Sequence, residues 1–207
     1  MTTVTALFDT HEHAMVAAEQ LQALGVAPAD ISILANNADA WYPGSTIDQE
    51  VVGGILTGAG TGAALGGAGG LLAGLGLLTI PGIGPVVAAG WLAATGLGAL
   101  AGAAAGGAAG GVVGAMVGAG LTESEAHLYA EGVRRGGSIV SARVAEAKAA
   151  HVASALQQAG AADLTQREAS WRDEGWMRFD PDADAWRDSK LAKERERLDR
   201  ARDKAPS

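Results

Sequence analysis

Apolar and polar positions change their period several times along this chain. Residues 3–8, TVTALF, alternate and are rich in β-branched types, which predicts a short strand. Thr10 then stands where an N-cap belongs. Ala14, Ala17, Ala18, Leu21 and Leu24 recur at helical spacing until Gly25 stops them. Residues 31–34, ISIL, follow as a second strand, so residues 1–36 read as a βαβ half. Residues 37–50 are polar and turn-rich, a linker in which Trp41 and Tyr42 are candidates for an interface.

From residue 51 to 120 the period becomes four. Gly54, Gly58, Gly62, Gly66, Gly70 and Gly74 form one ladder, and Gly98, Gly102, Gly106, Gly110, Gly114 and Gly118 form another. Positions four apart share a helix face, and a face without side chains lets a second backbone approach closely. Glycine costs about 1 kcal/mol against alanine inside a helix, so such close packing has to offset it. Pro81, Gly82, Gly84 and Pro85 mark a tight turn between the ladders. The expectation is a glycine-zipper α-helical hairpin, 51–80 and 86–120, turning at 81–85.

Beyond it, Thr122 and Glu125 have the spacing of a capping box for a short helix ended by Gly136 and Gly137. SIVSARV, 138–144, alternates as a strand does. Residues 145–159 are an alanine-rich helix, and 163–167 are read as a last strand. Residues 121–168 thus supply a second βαβ half. The fold class is α+β: a ferredoxin-like (split βαβ) sandwich, interrupted by the hairpin and followed by an aromatic and charged tail, 169–207. In that tail Trp171, Trp176, Phe179 and Trp186 are expected to pack against the sandwich. Residues 189–204 read as a charge-rich helix or a solvated tail.

Charge sharpens the picture. No Lys or Arg precedes Arg134, eight of the fifteen fall between Arg187 and Lys204, and the 72 residues between Glu50 and Glu123 carry no charge. About a quarter of the residues of an ordinary globular domain are charged. The hairpin is therefore expected in a lipid bilayer, with its leucine-, isoleucine- and valine-rich tip deepest. Arg134, Arg135 and Arg143 beyond its C-terminal end agree with both flanks being cytoplasmic. The net charge of −8 argues against a general nucleic-acid binder, and zero cysteines exclude disulfides and cysteine-based metal or redox chemistry. The chain start has no basic n-region and reads as a strand rather than a secretory signal.

VTALFDTHEHAMVAAEQLQALGV (4–26), LLTIPGIGPVVAAG (77–90) and GLTESEAHLYAEGVRRGGSIVSARV (120–144) resemble the bacterial general stress protein 17M-like family. The resemblance spans roughly residues 2–168, with IPGIGP its most specific part. It implies a heat- or stress-induced protein with a glycine-rich central segment, and it hands over no catalytic residues.

Several motifs carry less than they suggest. Residues 58–63 fit GxGxxA, but no acid follows until Glu123, so a ribose contact is missing and the match is a by-product of the ladder. His11 and His13 start a helix, where residues two apart diverge and cannot share a metal. Residues 180–184, DPDAD, open like a calcium loop, yet Ala185 and Leu191 stand where glycine and glutamate are needed. His127 and His151 are isolated. No catalytic, cofactor-binding or metal-ligating residue is assigned, and no small-molecule substrate is identified. The expected function is a non-enzymatic stress protein of the bacterial inner membrane, its folded domain on the cytoplasmic side, self-associating as a homo-oligomer. The alternative is a soluble, cytoplasmic oligomeric module with the hairpins buried in its core.

Overall fold

The structure, a computed structural model, describes residues 1–42, 76–91 and 111–203. Its elements run β1 (Thr2–Phe8), α1 (His11–Ala23), a 3-10 turn (Pro28–Asp30), β2 (Ile31–Asn36), β3 (Gly76–Ile80), β4 (Gly84–Gly90), α2 (Val112–Gly118), α3 (Glu123–Arg134), β5 (Ser138–Val144), α4 (Glu146–Gln158), α5 (Leu164–Asp173) and α6 (Asp188–Asp203). The architecture is α+β. One five-stranded sheet has the order β1-β5-β2-β4-β3, and all neighbours are antiparallel. β1 and β2 therefore run the same way, with β5 between them.

Local signals account for the elements that were expected. The Thr10 hydroxyl accepts from His13 N at 3.2 Å and opens α1. Thr122 and Glu125 close the full capping box of α3. The central strands are buried on both faces because helices cover both. On one face Ala14, Ala17, Ala18 and Leu21 of α1, with Val152 and Leu156 of α4, pack on Phe8, Ile31, Ile33 and Val140. On the other, Ala126, Tyr129 and Val133 of α3 and Met116 of α2 pack on Leu7, Leu34, Val86 and Ile139. Trp171, Trp176 and Phe179 join that second core, as the sequence led us to expect.

Two expectations fail. The stretches on either side of the 81–85 turn are strands β3 and β4, not helices. The ladder stops at Gly74 and resumes at Gly98, so the residues between them carry none of its period. They are instead rich in Leu, Ile, Val and Thr, and an apolar run this short does not distinguish helix from strand by period. Ile83 N donates to Ile80 O at 3.1 Å, with Pro81 and Gly82 (φ +75) between them, the arrangement of a type II turn. Residues 163–167 are likewise no strand. The Asp163 side chain accepts from Thr165 N and Gln166 N and starts α5 in their place.

The membrane reading falls with the expected helices at the hairpin's tip; residues 51–75 and 92–110 of that hairpin lie outside the described residues. Among the described residues no helix is long and apolar enough to cross a membrane. The tip expected deepest in lipid is covered by the chain itself: Ile83 is 1% exposed and lies in one core with Trp176 and Phe179. A Cβ on Gly82 would stand 2.8 Å from Asp180 O and 2.9 Å from Pro181 Cα, so the turn sits hard against the tail. Gly90 (φ +84) is held as closely at the far end of β4, where a Cβ would come within 2.2 Å of Ile31 O.

Candidate functional site

The densest polar chemistry lies where α3 meets the tail. Residues 131, 134 and 135 share one face of α3, since i, i+3 and i+4 are neighbours on a helix. Glu131 is fully buried there. It accepts from Arg135 Nε at 2.7 Å and from Arg134 Nη2 at 3.1 Å. Arg135, 7% exposed, also donates to Glu174 at 2.6 Å and lies 3.7 Å from Glu194. Its guanidinium is flanked by the rings of Trp171 (4.9 Å) and Trp186 (4.7 Å). Arg197 closes the group by reaching Glu194 (2.6 Å), Glu174 (3.3 Å) and the Ser170 hydroxyl. The hydrogen bond to Glu194 holds the Arg197 guanidinium above its usual pKa.

Three arginines thus face three glutamates, and each carboxylate lies against at least one guanidinium. The cavity that reaches Arg135 and Glu194 has a volume of about 10 Å³, room for one water rather than a substrate. Such a group clamps the tail to α3; it does not present a base to a reactant. Arg167 makes a parallel contact, its Nη2 donating to both oxygens of Asp9.

A larger recess, about 330 Å³, runs beside β1 and is lined by Thr5, Tyr129, Gln157 and residues 162–165. Burial, reinforced by Glu125, pushes the Tyr129 phenol well above its usual pKa. The protonated phenol donates to Thr5 O at 2.7 Å. Ala162 N donates to Leu7 O at 2.7 Å. The recess therefore ends on the backbone of an edge strand.

The residues singled out from sequence are distributed as follows. Pro81, Gly82, Gly84 and Pro85 form the β3–β4 turn. Gly114 and Gly118 lie on α2; Gly118 is exposed, and no atom of the described residues beyond its own helix and chain neighbours comes within 4 Å of its Cβ position. Gly54, Gly58, Gly62, Gly66, Gly70, Gly74, Gly98, Gly102, Gly106 and Gly110 lie outside the described residues. His11 stacks on Trp41 with ring centroids 3.9 Å apart, and burial lowers its pKa. Asp180 Oδ1 accepts from Asp182 N in a local turn. Among the described residues no group of His, Asp and Glu is placed to hold a metal ion. Sequence reasoning missed the Arg–Glu clamp. The Glu131–Arg135 spacing was a local signal for it, whereas Glu174 and Glu194 join only through the tertiary fold. Compared with known proteins, the chain matches no family model, no curated protein and no solved structure.

Proposed function

We propose that the chain is a non-enzymatic interaction module of the bacterial cytoplasm that works as a homo-oligomer. The carrying observation is the bare end of the second glycine ladder. Gly118 is exposed, and its Cβ position meets nothing beyond its own helix in the described chain, so at this last ladder position a second copy's backbone can approach. The clamp supports the non-enzymatic reading, because its carboxylates are spent on guanidiniums, and Tyr129 is spent on Thr5 O.

The sheet supports a ferredoxin-like (split βαβ) origin, since β5 lies between β1 and β2, which α1 connects. The β3–β4 hairpin extends it beyond β2. The resemblance to the general stress protein 17M-like family supports a role in a stress response, and the net charge of −8 supports a module that works without nucleic acid. Light scattering on a size-exclusion column tests the reading. Gly118→Leu leaves the monomer fold intact, as its site is open, and weakens assembly. A monomeric wild type, or a Gly118→Leu chain that assembles as the wild type does, contradicts it.

A further inference from the structure

We propose that the N-terminal half of the outer edge of β1 pairs with β1 of a second copy, around a two-fold axis at Val4. The inference rests on the oligomeric reading above and names the contact.

Hydrogen bonding fixes which way the β1 backbone faces. Asn36 N donates to Gly137 O, so the odd-numbered residues of β5 face β2 and the even-numbered ones face β1. By the β1–β5 register, Thr2, Val4, Ala6 and Phe8 point inward, and Thr3, Thr5 and Leu7 point to the open edge. The two bonds already on that edge agree, since Tyr129 reaches Thr5 O and Ala162 reaches Leu7 O. They cover only its C-terminal half. Among the described residues nothing pairs with the outward N–H of Thr3 or Thr5, or with Thr3 O.

Exposed edges are ordinarily blunted by lysine, proline or a bulge. Residues 2–8, TTVTALF, contain no charge, proline or glycine, and all seven pair in unbroken register with β5. The β1 edge is thus neutral in a chain of net charge −8, which lets two copies meet there without charge repulsion between the strands. The open groups are also self-complementary. With Val4 facing the partner's Val4, Thr3 exchanges both backbone bonds with the partner's Thr5, and Thr5 does so with the partner's Thr3. Thr5 O has a second lone pair for this beside the Tyr129 bond. This register stops short of Ala162.

The edge also adjoins the ladder. Thr3 Oγ1 donates to Ala119 O at 2.7 Å, one residue beyond the exposed Gly118. One two-fold contact can therefore include both surfaces, as an isologous dimer requires.

The chain has no cysteine, so Val4→Cys gives a single-thiol reporter placed at the axis. Under mild oxidation it should form a disulfide-linked dimer, whereas Val16→Cys, on the exposed face of α1, should not. Thr3→Pro deletes an outward N–H and leaves the β5 ladder alone. It should weaken self-association at least about tenfold. Thr3→Val keeps the N–H and removes only the Ala119 bond, and it should associate within a few-fold of the wild type. If Thr3→Pro fails to fold, amide exchange of the wild type decides instead: Thr3 and Thr5 should gain protection as concentration rises. An associating chain whose Val4→Cys form stays uncrosslinked, or whose Thr3 and Thr5 amides stay unprotected, overturns this contact and leaves the oligomeric reading standing. A chain that never associates removes both.

Discussion

Arg135→Ala is the sharpest test of the clamp that fixes the tail. The substitution leaves Glu131, with no exposed surface, facing only Arg134, and it takes from Glu174 and Glu194 their contact to α3. Breaking a buried pair from one side costs about 3–5 kcal/mol, because the remaining charge stays desolvated. Two flanking indoles add roughly 0.5–2 kcal/mol each, but these terms overlap and are not summed. Arg134 still compensates part of the Glu131 charge, which places the expected loss near 4 kcal/mol. For a chain of this size each kcal/mol lowers Tm by about 2–4 °C, so the midpoint should fall by roughly 8–16 °C. Urea unfolding gives the free energy, and limited proteolysis reports whether α6 detaches. Arg135→Lys keeps the charge without the planar fork and should recover only part of the loss. A cost below about 1 kcal/mol with a protease-resistant tail would refute the reasoning, since a clamp that is dispensable does not hold the tail.

Gly82→Ala should cost about 2 kcal/mol or more, from a strained positive φ and from contact with Asp180 O and Pro181. Gly160→Ala, equally positive in φ but with nothing within 4 Å, supplies the strain alone, and a thermal melt in which the two cost the same would contradict the packing of the turn on the tail. Stability should also depend on pH through His11. Its folded pKa lies below 6.5, so the unfolded chain binds more protons in the window between the two values. That contribution is complete above about pH 6.5 and is lost as pH falls toward the folded value; denaturant midpoints of wild type and His11→Phe should diverge there, and parallel curves would count against it.

The extent to which the sequence revealed this fold follows from where each signal resides. The N-cap at Thr10, the capping box at Thr122 and the alternation at 138–144 are local, and each marks its element. The β3–β4 hairpin was hidden because two real ladders flank it, and extending their period inward crosses a segment without ladder glycines. Asp163 is an N-cap by type, but the last strand that a second βαβ half calls for was read there instead. The clamp was legible only at Glu131, Arg134 and Arg135. Glu174, Glu194 and Arg197 lie 39 or more residues away from Arg135 along the chain, and charge spacing carries no signal at that range. The tail's tryptophans were readable as packing residues because large aromatics among acids rarely stay in water.

Sedimentation velocity of the purified wild-type chain without detergent, over a wide concentration range, tests the central claim most directly. The account predicts discrete, concentration-dependent self-association beginning with a dimer. A single monomeric boundary at every concentration would contradict it.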